Sequence, residues 1–437
     1  MRESAATPSD FTGNGAPAVH AVPRLPATPI TRLTQGITVP DSLRSLRHRN
    51  YRLLWTGNLI SNTGDWMDQI AFNWLVYQMT DSAIFLGLVN LFRWLPILIF
   101  TLVGGVVADR WERRRLMFST QAVAMVLAFI LAVLVETGLV QIWMVLVIAA
   151  GRGVMMSFNQ PAKQGLVSDL VPPKDLRNAI ALNSTQFNLT RIVGPAIGGL
   201  LIATVGVAGA FFLNAVSFIA VLWSLAAMEI PPHRHVSHRS MLDDVKGGID
   251  YVRGQPLIQA LLVLALLPVG LGLPYMTMLT VFARDVLQVG GTGLGLLTAC
   301  SSVGAVLGAL YVASAATVRR GALLLVALIV FGIALFAFSL SPWVWFSAGM
   351  LFVVGTSQQV YMTTNQTVVQ EIVDDEYRGR VLSILFLNRS MIPLGTMLAG
   401  FGTAVFGVQH TMAVMAGALV LTALLAARLS PAARDVV

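Results

Sequence analysis

Runs of about 20 apolar residues recur from Tyr51 almost to the C-terminus of this 437-residue chain. Twelve can be counted, at 51–77, 84–107, 116–136, 140–164, 179–204, 207–229, 257–282, 293–315, 321–339, 342–368, 381–404 and 407–428. At about 1.5 Å of rise per residue, each is long enough as a helix to cross the roughly 30 Å hydrocarbon core of a bilayer. Helix is also the form such runs must take there, because lipid offers the backbone no hydrogen-bonding partner. Only 11% of residues are charged and 56% are hydrophobic, whereas an average soluble domain carries about a quarter charged residues. Mean hydropathy is +0.73. The expected fold class is an all-α integral membrane protein with twelve transmembrane helices.

Basic residues orient the spans. With the N-terminus in the cytoplasm, Arg and Lys fall in the segment up to Arg52, at 110–115, 163–177, 234–253, 319–320 and 378–380, and in the C-terminal tail. Arg284 alone falls in a loop on the opposite side, while Arg93, Arg152, Arg191 and Arg389 lie inside predicted spans. This is the positive-inside pattern, so both termini are expected in the cytoplasm. The net charge of +8 then reflects topology and attraction to anionic lipid. No nucleic-acid-binding motif accompanies it.

Residues 1–50, rich in Pro, Ala, Thr and Ser and without a signal-peptide core, read as a disordered cytoplasmic tail. Residues 230–256 read as a cytoplasmic linker between bundles at 51–229 and 257–428, and 429–437 as a second tail. In the linker, His233, His235 and His238 lack the acidic or thiol partners of a metal site. Leu242, Val245, Ile249 and Val252 keep helical spacing and suggest an amphipathic helix on the membrane surface. Cys300, the one cysteine, reads as a small packing residue, with no disulfide framework and no metal cluster.

An internal repeat divides the chain. "VMMSFNQPAKQGLVSDLV" (154–171) aligns with "VYMTTNQTVVQEIVDDEY" (360–377), and the same offset carries Arg113-Arg114 onto Arg319-Arg320. An even number of spans separates the matching points, so the two six-helix halves are parallel, as in one large transporter architecture whose substrate site lies near the midplane between the halves. Asp109 and Arg110 fall on Ala315 and Ala316, leaving the charge cluster complete only in the first half.

"GVVADRWERRR" resembles the loop signature of the major facilitator superfamily through Gly105, Asp109, Arg110, Arg113 and Arg114, with Glu112 where that family usually has glycine. "NAIALNSTQFNLTRIVGPAIGG" (178–199), "DDEYRGRVLSI" (374–384) and "LISNTGDWM" in span one are similar to its siderophore-exporter and macrolide-efflux branch. The resemblance implies that Asp109 sits near the cytoplasmic start of span eleven. Arg110 and Arg113 would then hold acidic groups in a network that links the halves when that side is closed; anchoring by positive charge is the alternative. Gly194, Pro195, Gly198 and Gly199 resemble the end of the superfamily's antiporter motif, a helix bend, although close helix packing also accounts for them.

Span one carries the strongest chemical signal. At about 100° per residue, Asn58, Ser61, Asn62, Asp65, Asp68, Gln69 and Asn73 fall within an arc of about 140°. Two carboxylates in such a stripe point to a water-filled cavity rather than a buried seam. Arg93 and Arg152 lie at depths within reach of Asp65, and Arg152 resembles the span-four arginine of drug/proton antiporters. Each pairing could equally be structural. Asp65 is the candidate proton carrier and Asp68 the second choice, because a carboxylate that loses its arginine in a dry site takes up a proton. Asn58, Asn62, Gln69, Asn188, Arg191, Asn388 and Arg389 are the candidate lining of a substrate cavity.

The expectation is a multi-pass inner-membrane exporter that works by proton antiport, with a proton-coupled uptake symporter of the same fold as the alternative. Excess intramembrane arginine suits an acidic, siderophore-like cargo without excluding a cationic macrolide. No enzyme is expected, since the six histidines supply no pair at membrane depth. No nucleotide-binding Gly-Lys-Ser/Thr loop occurs. No metal or cofactor beyond the proton motive force is expected. The expected partners are a small-molecule substrate and the lipid bilayer, with no nucleic acid, and the chain is expected to be a monomer.

Overall fold

The computed structural model describes residues 41–229, 250–314, 320–374 and 388–429, with Tyr377, Val381, Ile384 and Leu385 between the last two stretches. Residues 1–40, most of the linker with its three histidines and Leu242, Val245 and Ile249, Arg319, Arg378 and the tail from 430 lie outside the described residues, as do the side chains of Asp109 and Arg389. Helix runs through almost all of the rest, and no strand occurs among the described residues.

In chain order the helices are α1 (Arg49–Thr80), α2 (Ala83–Arg110), α3 (Arg113–Glu136), α4 (Ile142–Leu170), α5 (Pro173–Thr204) and α6 (Gly206–Ala226). They continue with α7 (Pro256–Val286), α8 (Gly290–Ser314), α9 (Arg320–Ser339), α10 (Val344–Ile372), α11 (Ile392–Phe406) and α12 (Val408–Leu429). Helix α7 is not regular: π turns at Pro268–Gly272 and Phe282–Val286 interrupt it. Among the described residues, nine helices are long and apolar enough to cross a membrane. The remaining three are α1, with its polar stripe, the amide-bearing α10, and α11, which has only 15 residues.

Two expectations are corrected. The run at 381–404 is not one helix, because a 3-10 turn at Asn388–Met391 precedes α11. Pro393, in the first turn of α11, has no N–H to give to the carbonyl of Arg389, which removes one hydrogen bond at the point where the run breaks. The end of the expected disordered tail is ordered: Asp41–Arg47 forms a 3-10 helix and Arg49 already belongs to α1. Contacts with the start of α5 hold it there. Arg44 Nε lies 3.0 Å and His48 Nε2 2.9 Å from the Asp175 carboxylate, and the Ser45 amide donates to Asn178 Oδ1 at 2.9 Å.

Residues Ser42–Val437 form one compact unit. Within it, α1 packs on α5 and α6, α3 on α4 and α6, and α2 on α4; the same neighbour pattern returns as α8 on α10, α9 on α10 and α9 on α12. Two seams join these groups, α2 against α11 and α5 against α8. Short links keep successive helices antiparallel. Gly407, with φ 80°, is the single residue between α11 and α12, in a backbone region open to glycine at no steric cost.

Apolar side chains cover the outside. Ile99, Val147, Ile180, Ile219, Leu310 and Val414 are all more than half exposed, as a lipid-facing surface requires. Trp143, Trp343 and Trp345, exposed at the far ends of α4 and α10, fit the interfacial aromatic belt. Multiple apolar helices with an apolar exterior make this a multi-pass membrane protein.

The α5–α8 seam depends on glycine. A Cβ at Gly295 would meet the Pro195 carbonyl oxygen at 2.6 Å and Gly199 Cα at 2.9 Å. Both are backbone atoms that cannot swing aside, so Gly295→Val forces the helices apart at a cost of about 1–3 kcal/mol. Purified Gly295→Val is expected to melt several degrees below wild type in a thermal unfolding scan, whereas Gly349→Ala, where a Cβ meets nothing within 4 Å, is expected to leave the melting temperature unchanged.

Candidate functional site

Helix α1 brings its polar stripe into the interior of the first group, and packing divides the stripe. Asn62, Asp65 and Gln69 are half-buried, whereas Asn58, Ser61, Asp68 and Asn73 are buried. The half-buried three fall within about 60° of one another near the centre of the arc, where buried Asn58 also lies, so the stripe is partly open only from Asn62 to Gln69. Asn58 Oδ1 and Ser61 Oγ are enclosed without a hydrogen bond.

Asp68, not Asp65, makes the arginine pair. The Arg152 guanidinium grips both Asp68 oxygens, with Nη2 to Oδ1 at 2.9 Å and Nη1 closing on Oδ2. The side chains are 11% and 2% exposed. Phe72 lies under the guanidinium, its ring centroid 5.6 Å from Arg152 Cζ. Gly153, the next residue, lets α4 reach α2, because a Cβ there would collide with the Arg93 carbonyl oxygen. Arg93 turns to Gln69, donating to its Oε1 at 2.5 Å.

Asp65 therefore stands beside this pair with no hydrogen bond or ion pair of its own among the described residues. It is within electrostatic reach of Asp68 on its own helix, Arg93 on α2, and Arg152 and Lys163 on α4. Lys163 was not expected here, since its position read as the start of a loop. Helix α4 instead runs on to Leu170, and Arg152, Met156, Asn159 and Lys163 share one face at i, i+4, i+7 and i+11. That spacing is the signal by which the sequence shows it.

The other candidates are more scattered. Arg191 on α5 is half-buried and within electrostatic reach of Tyr275 on α7. The Asn188 amide donates to the Ser184 carbonyl at 2.9 Å, and the Asn388 amide to the Leu262 carbonyl at 3.1 Å. Gly194 and Gly198 press against α1 at Trp66, Thr63 and Met67, and Gly199 against Gly291 and Gly295 of α8. Pro195 is buried in the α5–α8 seam. Gly105 and the Asp109 backbone lie in α2. Arg110 is exposed. Arg113 binds Asp169 at 3.0 Å and the Gly165 carbonyl at 3.1 Å, and Arg114 binds the Met228 carbonyl at 2.7 Å. These bonds tie α3 to α4 and to the segment after α6, inside the first group.

The two groups meet at the end away from the chain termini. There the Tyr77 hydroxyl donates to Asp285. Arg284 bonds Asp81 at 2.7 Å and the Tyr77 carbonyl at 3.0 Å, with its Cζ 5.1 Å from the Tyr77 ring centroid. The glycine contacts of α5 with α8, and of Gly400 with the Ala83 carbonyl, lie at this same end. At the opposite end, the ion pairs Arg113–Asp169 and Arg320–Glu371 and the 3.0 Å Tyr251–Asp374 hydrogen bond each lie inside one group.

With this geometry in view, residues 41–435 match a family described as transmembrane secretion effector. The chain belongs to that family, a branch of the major facilitator superfamily. The transporter is 29% identical to a staphyloferrin A transporter of Staphylococcus aureus (strain NCTC 8325 / PS 47) over 363 residues, covering 80% of this chain and 89% of the relative. It is 28% identical to the multidrug efflux pump Tap of Mycolicibacterium fortuitum, over 78% of this chain and 86% of the relative. Its fold matches the crystal structure of a bacterial homologue of the human lysosomal transporter Spinster, with a TM-score of 0.71, 16% identity, and coverage of 88% of this chain and 98% of the other. Relatives and family are transporters, and so is this protein; it is not an enzyme.

The buried pair yields a direct test. Removing one member of a buried ion pair leaves an uncompensated charge and costs about 3–5 kcal/mol, while replacing both with apolar residues costs far less. Asp68→Leu and Arg152→Met are each expected to lower the melting temperature strongly, and the double variant to recover most of the loss. Additive losses in the double-mutant cycle would mean that the two charges are not coupled.

Proposed function

We propose that this transporter is a secondary active exporter of the cytoplasmic membrane, inner in bacteria that have two. Its twelve helices are two parallel six-helix repeats at 51–229 and 257–428, with the termini, the tails and the 230–256 linker in the cytoplasm. The repeated sequence at 154–171 and 360–377 and the recurring neighbour pattern of the helices support this division. Basic residues concentrated on the terminal side support the orientation. In that frame the α5–α8 and α2–α11 seams and the Tyr77, Asp81, Arg284 and Asp285 cluster close the outer end, which supports an inward-facing state.

The carrying observation is Asp65, half-buried in the interior beside an ion pair that already satisfies Asp68. Asp68 and Arg152 form the fixed scaffold; Asp65 is the exchangeable proton carrier. Facing outward it takes a proton, and facing inward it releases the proton and receives cargo, so that the proton motive force drives export and no other cofactor is involved. The names of the relatives, a staphyloferrin A transporter and a multidrug efflux pump, support a bulky small molecule of siderophore or drug type as the cargo. The transporter works as a monomer in the bilayer and binds no nucleic acid.

Everted membrane vesicles test both carrier and direction. With the interior acidified, wild type is expected to accumulate labelled cargo from a panel of a catecholate siderophore, a macrolide and a hydrophobic cation. Asp65→Asn is expected to lower the rate at least tenfold at unchanged protein level. Cargo that leaves with protons instead would make the protein an uptake symporter, and full accumulation by Asp65→Asn would remove Asp65 from the mechanism.

A further inference from the structure

Lys163 is a charged group of this interior that the proton cycle does not use. It is half-buried, seven residues before the end of α4. Side chains on a helix lean toward its N-terminus, which for α4 is the direction of Arg152 and the level of Asp65. The face that carries Lys163 is the one on which Arg152 meets Asp68 and Phe72 of α1. Asp65 lies three residues before Asp68, displaced toward Lys163, and the two charges are within electrostatic reach of each other.

The other charges near Asp65 are committed elsewhere. Arg152 is bound to Asp68 through both of its terminal nitrogens. Arg93 is bonded to Gln69 and held at α2, where its own carbonyl touches Gly153. Lys163 alone among the four groups around Asp65 makes no hydrogen bond or ion pair among the described residues. It ends a flexible stem of four carbons, a compact point charge that can move between partners.

We propose that Lys163 is a cargo-binding cation that sets the sign of proton coupling: an acidic group that binds it draws a proton onto Asp65, whereas cargo that donates positive charge or hydrogen bonds to Asp65 expels one. This rests on Asp65 as the proton carrier. The sign follows from linkage. An anion on Lys163 takes away the positive charge that stabilises ionised Asp65 and adds a negative one, so anion binding and protonation reinforce each other. A cation at Asp65 competes with the proton for the same carboxylate. Binding free energies are reciprocal, so each effect holds in both directions. Proton exchange can then drive export of cationic or hydrogen-bond-donating cargo, while purely acidic cargo is carried together with the proton. The excess of basic residues inside the bundle therefore does not select acidic cargo for export, contrary to what their count alone suggests.

Two probes of fixed charge separate the cases: naphthalene-1-sulfonate as the anion and tetraphenylphosphonium as the cation. Each is added to the purified full-length protein in weakly buffered detergent solution containing a pH indicator. Wild type is expected to take up protons with the sulfonate and release them with the phosphonium. Lys163→Gln is expected to bind the sulfonate at least tenfold more weakly and lose the uptake, while keeping the phosphonium-driven release. Lys163→Arg, which retains the charge, is expected to stay within threefold of wild type in both and serves as the folding control. Equal sulfonate affinity in wild type and Lys163→Gln, or no sulfonate binding by wild type where the phosphonium binds, would overturn the docking role. Unchanged proton exchange in Asp65→Asn would overturn the carrier instead, and weakened sulfonate binding in Lys163→Gln would then still support Lys163 as the anion site.

Discussion

Charge in a medium without water is the condition on which this architecture depends. A carboxylate at the depth of Asp68 is tolerated only with a partner of opposite charge and good geometry, and the two-pronged grip of Arg152 provides both. That demand brings α4 against α1 at one level, and Gly153 in turn brings α2 against α4. Three helices are thus located by one ion pair and one missing side chain. Asp65 and Lys163 then occupy the same interior without being consumed by it.

The remaining helices follow a simpler rule. Without a hydrophobic force between helices in lipid, close contact comes from small residues, and the seams between the groups place Gly199, Gly291, Gly295 and Gly400 where backbones touch. Many side-chain hydroxyls return to their own helices, although Ser61, Tyr361, Thr364 and Thr411 keep buried hydroxyls without a partner among the described residues. Thr63, Thr298, Ser302 and Thr422, for example, each donate to a carbonyl four residues back.

Much of this was legible in the sequence. Runs of lipid-spanning length located nearly every helix, and the arc of polar residues on α1 pointed to the interior. The pairing inside that arc was not legible, because Asp65 and Asp68 differ by less than one turn and only the rotation of α4 decides which of them Arg152 meets. Lys163 was missed for a related reason: hydropathy falls before the helix ends, so a buried lysine near a helix terminus looks like the first residue of a loop. The resemblance assigns Arg110 and Arg113 to a bridge between the halves in the state closed on the cytoplasmic side, with anchoring as the alternative; here Arg113 and Arg114 find carboxylate and carbonyl partners within the first group. The α11 run concealed its break because the polar turn before it is only four residues long, Asn388–Met391, and apolar residues flank it on both sides.

The two fastenings that join the groups differ in kind. The glycine seam of α5 and α8 is held by dispersion between backbones, which dissolved ions leave almost untouched. The cluster of Asp81 with Arg284, and Tyr77 with Asp285, is partly exposed to solvent, where mobile ions weaken attraction between charges. Salinity at that face therefore acts on one fastening and spares the other. Carriers from brine and from fresh water that share this skeleton would be expected to keep the glycines and to vary the ionic cluster.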